Sequence, residues 1–370
     1  VKLSISSLFV LAAAVSIACA ADEAPQPRSS ATTAPPTQRG PILIYESNGD
    51  REEIVVYDIE SQRELWRFEP RGPYAVARAR AAIIEVAAVP SGLEFRQRPL
   101  NGGEETVLRF TSQQRLTGVA VSPDGTLLAF GTTDGDKSRF DESIQLLDLD
   151  SGEVSELARF EFPPDTLEII GRPEPIVWRS DGTGIVFRYY PGHGPASLLA
   201  TAMIDGRLVD QRAFAYFVSP DGRFAINDDV NTVGCIDSPQ QLRLIDLMTG
   251  RDAVVVEQPA RGIRFNSWSP RGDELLYDEY DTYQLGDSDC APGLVQASRK
   301  TFLVPAVNRE PVEVDGSAAR KRWYGGHDVD VVCTAAFEAW GECSGDVSLT
   351  VDGTQVGASR DITIIDVIPR

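Results

Sequence analysis

Histidine and methionine occur only twice each in the 370 residues. Two imidazoles are too few for a His-rich metal centre, and neither sits in a metal-ligand spacing. Basic residues are also scarce: 35 Lys and Arg stand against 55 Asp and Glu, a formal net charge of −20. A surface of that sign repels the phosphate backbone, so nucleic acid is excluded as a partner. Beyond the N-terminal region no stretch is apolar enough to span a bilayer. What the chain does have is 31 Gly and 24 Pro, with 42% apolar and 24% charged residues. That composition can bury a core, and it favours many short strands and turns over long helices.

Lys2 precedes an apolar run from Leu8 to Ile17 and then small residues, the layout of a secretory signal peptide over residues 1–21. Two processing patterns overlap there. Ala18-Cys19-Ala20 fits cleavage of a soluble exported protein, whereas Ser16-Ile17-Ala18-Cys19 is a degenerate bacterial lipobox in which Cys19 would be lipidated. Residues 22–40 are rich in Pro, Ser, Thr and Ala, as a disordered tether to a membrane anchor would be. The expectation is an exported chain, lipid-anchored in the cell envelope or else periplasmic or secreted, whose only membrane contact is the N-terminal anchor. Four further cysteines, Cys235, Cys290, Cys333 and Cys343, are an even number that suits disulfides outside the cytoplasm.

Residues 41–370 are organised by a repeat. An apolar strand runs into a tight turn and a second strand at Gly118-Val-Ala-Val-Ser-Pro-Asp-Gly125 with Leu127-Leu-Ala-Phe130. The unit returns at Ile176-Val-Trp-Arg-Ser-Asp-Gly182, at Ala215-Tyr-Phe-Val-Ser-Pro-Asp-Gly222 and at Phe265-Asn-Ser-Trp-Ser-Pro-Arg-Gly272. Ser first, Pro second and Gly fourth suit a type I turn between antiparallel strands. A second turn follows at a steady offset: Asp124 leads to Asp148 and Asp181 to Asp205 in 24 residues, and Asp221 to Asp246 in 25. Each unit is thus a four-stranded meander, which is a propeller blade. Weaker copies lie at Ile42–Phe68, Tyr74–Phe110 and Lys321–Ile368.

These residues resemble the TolB-like and WD40-like (PD40-type) β-propeller repeats, in which an apolar strand enters Ser-Pro-Asp-Gly and leaves as Leu-Ala-Phe or similar. The resemblance covers most of residues 41–316 and implies an all-β fold of four-stranded antiparallel blades. Seven blades are expected, closed between N-terminal and C-terminal strands; six blades with a C-terminal extension is the alternative count. On function the resemblance says little, because the repeat occurs in carrier-interacting periplasmic proteins, in peptidase accessory domains and in exported lipoproteins.

In such a blade the Ser-Pro-Asp-Gly turns lie on one face and the loops between second and third strands on the other. The expected long loops are Thr132–Ser143, Tyr189–Ser197, Asn227–Gln240 and Asp278–Ser298. Cys235 and Cys290 fall in the last two, which suggests a cross-link between neighbouring loops, leaving Cys333 with Cys343 as a local clamp; spacing alone does not fix either pairing. The loops are acidic, and Asp278, Tyr280, Asp281, Tyr283, Asp287, Asp228 and Asp229 are the candidate partner-binding residues, with tyrosines as rigid amphipathic anchors. The plainer alternative is a solvated acidic surface that maintains solubility. Calcium is compatible with so many carboxylates, but no loop carries the Asp-x-Asp-x-Asp-Gly pattern with its distal Glu, and no metal ligands are assigned.

Catalytic motifs are missing: there is no Gly-x-Ser-x-Gly elbow, no Gly-x-x-x-x-Gly-Lys loop, and no Ser-x-Asp-x-Gly-x-Thr-Trp box of the sialidase propellers. His193, in Pro191-Gly-His-Gly-Pro195, and His327, before Asp328, are the only candidate general bases. The reading from sequence is therefore a monomeric, non-catalytic platform that binds an envelope or extracellular protein. A hydrolase or lyase with its site at the mouth of the central channel is the alternative.

Overall fold

The computed structural model describes residues 41–49, 51–110, 115–133, 141–161, 173–189, 198–214, 217–229, 240–258, 261–285, 288–307, 309–333 and 346–368. The expected signal peptide, Cys19 and the tether lie outside them.

Strands β1 (Ile42–Asn48), β2 (Glu52–Asp58) and β3 (Arg63–Phe68) belong to blade 1. Blade 2 is β4 (Tyr74–Ala77), a short 3-10 turn at Arg78–Arg80, β5 (Ala82–Val89), β6 (Gly92–Pro99) and β7 (Thr106–Phe110). Blade 3 is β8 (Arg115–Val121), β9 (Leu127–Thr133), β10 (Asp141–Asp148) and β11 (Val154–Glu161). Blade 4 is β12 (Glu174–Trp178), β13 (Gly184–Tyr189), β14 (Leu198–Met203) and β15 (Leu208–Phe214). Blade 5 is β16 (Phe217–Val218), β17 (Phe224–Asp229), β18 (Gln240–Asp246) and β19 (Arg251–Gln258). Blade 6 is β20 (Arg261–Trp268), β21 (Glu274–Leu285), β22 (Ser288–Pro305) and β23 (Val312–Val314). Helix α1 (Gly316–Trp323) then leads to blade 7, with β24 (Val329–Cys333), β25 (Val347–Val351) and β26 (Thr354–Ser359). Finally β27 (Asp361–Ile368) pairs antiparallel with β1 and completes blade 1 in the order β27-β1-β2-β3.

The fold is an all-β propeller of seven antiparallel blades, and the ring closes through the C-terminal strand as the repeat implies. First strands of neighbouring blades lie against one another, β4 with β8 and β8 with β12, which places them nearest the axis. A blade is covered on both sides, so its inner strands are apolar at consecutive positions while period 2 sends alternate residues to opposite interfaces. In β2, Ile54 and Val56 pack toward blade 2, whereas Val55 and Tyr57 pack toward blade 7.

The repeated turns are held by local hydrogen bonds. The Ser122 hydroxyl donates to Asp124 Oδ1 at 2.6 Å and accepts from the Leu127 amide at 2.9 Å, while the Thr126 amide donates to the same Asp124 oxygen at 3.0 Å. Ser219, Asp221 and Phe224 repeat the arrangement. Where the fourth copy has Arg271, Asp273 takes over and accepts from Ser269 Oγ at 2.8 Å. The second turn is built on Asp148, whose Oδ1 accepts from the amides of Asp150 at 3.0 Å and Ser151 at 2.7 Å. The recurring aspartates therefore shape turns.

One backbone bond ties the two turns of each blade together and reveals the register of blade 7. The residue before the second strand accepts from the residue after the third: Thr126 O from Leu149 N, Thr183 O from Ile204 N and Asp273 O from Ala306 N, each at 2.9 Å. In blade 7 the bond is Asp328 O from Asp352 N at 2.8 Å. Strands β24, β25 and β26 are thus second, third and fourth, and α1 takes the chain position of the first. The helix is capped by Asp315, whose carboxylate accepts from the Ser317 amide at 2.9 Å, and its last turn carries Arg320, Lys321 and Arg322 against the carbonyl end of the dipole.

Candidate functional site at the channel mouth

The two faces of the ring differ. On the turn face, Arg80 donates to the Gly125 carbonyl and pairs with Asp150 at 2.6 Å, and Ser180 N donates to Asp221 O at 2.9 Å, so neighbouring turns interlock. Arg78 goes further. Its Nε and Nη2 donate to the Asp366 carboxylate at 2.7 and 2.6 Å, and its Nη1 donates to the Pro270 carbonyl at 3.3 Å. Arg78 is in blade 2 and Pro270 in blade 6, three steps apart around a ring of seven, which is the largest separation available. The side chain therefore crosses the axis and ties this end of the channel.

The opposite face carries a cavity. The starts of the first strands of blades 2, 3 and 4, with Tyr74, Thr117, Gly118, Glu174 and Pro175, and Arg188 from β13, line a space of 370 Å³. First strands run from the loop face to the turn face, so this space lies toward the loop-face end of the channel, on the side formed by blades 2 to 4. Glu174 and Arg188 are register partners, and their charges stand 3.6 Å apart, both part-exposed. Arg188 Nε is buried with no acceptor among the described residues. The Tyr74 hydroxyl donates to Glu46 of blade 1, and burial together with that carboxylate pushes its pKa upward. Thr117 donates to the Pro173 carbonyl across the boundary between blades 3 and 4. At Gly118 a Cβ would meet Glu174 Cγ at 2.7 Å and Pro175 O at 2.9 Å, so the absence of a side chain there lets blade 4 approach. An acceptor, a two-pronged donor and hydroxyls beside apolar walls suit capture of a polar chain or group. Apart from Gly118, which opens the repeat unit of blade 3, none of these residues belongs to the repeat motif; they converge from three blades, and the sequence carries no signal for that.

The sequence-predicted site residues fall differently. The stretch expected as the loop Asp278–Ser298 is a correction: it lies in the long hairpin of β21 and β22. Asp278 and Tyr280 are 3% and 2% exposed, which corrects their expected place on an open rim. Asp278 accepts from Asn266 Nδ2 at 2.7 Å and Thr301 Oγ1 at 2.6 Å and faces Arg299, so its charge is compensated internally. The Tyr280 ring is buried beside it, its hydroxyl pushed up by burial and then by Asp278. Asp281 is on the surface, 60% exposed, and pairs with Arg261 at 2.8 Å. Tyr283 pairs through its backbone with Gly293, and Asp228 and Asp229 pair with Leu242 and Gln241; the side chains of these three lie outside the described set. Asp287, His193, Cys235 and Cys343 lie outside the described residues, as does the side chain of Cys290. Cys333 is buried at the end of β24.

His327 is on the turn face, away from the cavity, with Nδ1 2.8 Å from Asp352 Oδ2. Tyr277 is buried and stacks on Phe302 with ring centroids 5.1 Å apart, and Trp323 Nε1 donates to Glu274 at 2.8 Å. Among the described residues no group of three His, Cys, Asp or Glu side chains is placed to hold a metal ion. No described helix is long and apolar enough to cross a membrane.

No protein-family model matches the chain, and no curated protein matches it. Solved structures do. TolB from Acinetobacter baumannii is 15% identical with a TM-score of 0.42, the match covering 74% of this chain and 63% of that one, less than two thirds of its length. An oligogalacturonate lyase solved in complex with manganese is 15% identical with a TM-score of 0.45, covering 74% of this chain and 73% of that one. The oligogalacturonate lyase of Vibrio parahaemolyticus is 12% identical with a TM-score of 0.48, again covering 74% and 73%.

Proposed function

We propose that this chain is an exported, non-catalytic propeller that binds a protein of the cell envelope or the extracellular space on its loop face, at and around the channel mouth. The observation that carries this reading is the one-sidedness of the ring: tight interlocked turns and the Arg78 tie occupy one face, while the other holds the Glu174–Arg188 cavity. Association with a rigid platform has a low ordering cost. The net charge of −20 favours a basic partner and predicts faster capture at low salt. Export through residues 1–21, lipidation at Cys19, a monomeric state and a Cys333–Cys343 disulfide belong to the same proposal. A disulfide at Cys333 would support the oxidising address.

Pull-down after chemical cross-linking in envelope extracts tests the reading. The doubly substituted Glu174→Ala/Arg188→Ala protein should lose capture of partner, and Asp205→Ala on the turn face should keep it. Equal capture by the mouth variant, or loss confined to the turn-face variant, rejects the reading. Turnover of a small substrate that vanishes in the mouth variant assigns the cavity to an enzyme instead.

A further inference from the structure

Apolar clusters fill the interfaces between blades 1 and 2, 2 and 3, 3 and 4, 4 and 5, 5 and 6, and 7 and 1. Among the described residues, the interface between blades 6 and 7 has no such cluster. A chain of charges occupies it. Asp278 of β21 faces Arg299 of β22 at 3.1 Å, and Arg299 reaches Asp330 of β24 at 3.2 Å. Asp330 is 3.0 Å from Arg320 of α1, which also pairs with Asp328 at 2.6 Å. These side chains are 4% to 19% exposed.

The network is incompletely bonded. Arg299 Nε meets Asp278 outside hydrogen-bond geometry, and Arg320 Nη1 has no acceptor among the described residues. Removing charges from water is costly, and imperfect pairing recovers that cost only in part. When such a boundary parts, the ions rehydrate and regain much of what burial took. When an apolar boundary parts, hydrocarbon meets water and nothing is regained. The fold adds a second weakness at the same place, because α1 replaces the first strand of blade 7. On its other side, blade 7 is joined to blade 1 by apolar packing, including Val329, Leu349 and Ile362.

We propose that the ring opens at the seam between blades 6 and 7. Blade 7 parts from blade 6 while keeping its apolar packing on blade 1, and the connection through α1 spans the gap. The seam is a side entrance to a channel whose turn-face end is tied by Arg78.

Thiol labelling of full-length protein tests this without disturbing the charges. Ala319 lies on the buried face of α1, 7% exposed, and Ala129 lies in the apolar boundary of blades 3 and 4, 0% exposed. Ala319→Cys should be alkylated roughly tenfold faster or more than Ala129→Cys under native conditions, because sub-global openings expose sites ahead of global unfolding. Peptide mass spectrometry separates the new thiol from native cysteines. Combining Ala319→Cys with Asp278→Leu, Arg299→Met and Asp330→Leu should slow its labelling by a similar factor. Equal rates for the two single cysteines overturn the proposal, and that comparison stands even when the apolar variant does not fold. An apolar variant with native circular dichroism and unchanged labelling also overturns it.

Discussion

Arg78, in the first turn of blade 2, grips Asp366, in the C-terminal strand β27, through two parallel hydrogen bonds of 2.7 and 2.6 Å. Asp366 is 7% exposed and lies in the strand that closes the ring on β1. The pair therefore joins the closing strand to the next blade, and Arg78 adds a bond to Pro270 across the axis.

Arg78→Ala leaves the Asp366 carboxylate buried without its fork. Stability to urea should fall by roughly 2 kcal/mol, a value set below the full cost of a broken buried pair because Arg78 is part-exposed. Arg78→Lys should recover less than half of the loss, since an ammonium cannot make the two parallel bonds. A change under about 0.5 kcal/mol in Arg78→Ala, typical of surface sites, counts against a role in closure.

Alkali should unfold the protein in a window set by its tyrosines. Burial pushes the hydroxyls of Tyr45, Tyr74, Tyr277 and Tyr280 above the ordinary 10.0, and it pushes Tyr324 up to about 12. The unfolded chain loses these protons first, so stability is full below pH 10 and falls as pH rises toward 12. Absorbance at 295 nm should show these rings ionising only together with loss of the far-ultraviolet dichroism. Ionisation of all ten tyrosines near pH 10 in a folded protein would contradict the packing described.

Acid should act through the turns. Hydrogen bonds from the Ser122 hydroxyl and the Thr126 amide hold Asp124 below the usual carboxylate range, and the Ser151 and Asp150 amides do so for Asp148. Asp181 is held down by the Arg179 guanidinium and then by Thr183. Depressed carboxylates contribute stability above their unfolded value of 3.8 and lose it as pH falls through the folded values. The urea midpoint should be level from pH 7 to about 5 and fall below about 4. Asp148→Asn should shallow that fall; an unchanged slope would show that the carboxylate is not the titrating group.

Two turn glycines separate backbone strain from crowding. Gly152 at φ +74° has open space around a built Cβ, so Gly152→Ala should cost about 1 kcal/mol. Gly222 at φ +66° would place its Cβ 3.1 Å from the backbone of Trp178 and Arg179 in blade 4. Gly222→Ala should cost on the order of 3 kcal/mol, because a neighbouring blade must move as well. Equal costs in denaturant titrations would remove the inter-blade contact from the account.

The blade unit was legible because its signals are local. Ser122, Asp124 and Gly125 bond one another within a single turn, as do Asp148, Ser151 and Gly152, so the residues that shape each turn are adjacent in the chain. Helix α1 was not expected, although Asp315 and the run Ala318-Ala319-Arg320-Lys321-Arg322 spell a cap and a helical segment. From the sequence, the last weak copy of the repeat begins at Lys321, inside the helix, and the residues before it are assigned to no element. Asp278 and Tyr280 read as rim residues because carboxylates alternating with tyrosines suit an exposed surface equally well.

From sequence alone came the all-β class and the blade repeat, since each follows from bonds between residues a few positions apart or from strand period. Seven blades and closure by the C-terminal strand were expected from the repeat, and the pairing of β27 with β1 from opposite ends of the chain decided them. Only the tertiary structure decided which charges face water. Asp278 and Asp281 are three positions apart on one strand, yet one is sealed by Arg299 and Thr301 while the other is on the surface. Tyr74, Thr117, Glu174 and Arg188 come together from three blades. Burial and convergence depend on how a neighbouring blade approaches, and the residues that set that approach lie tens of positions away along the chain.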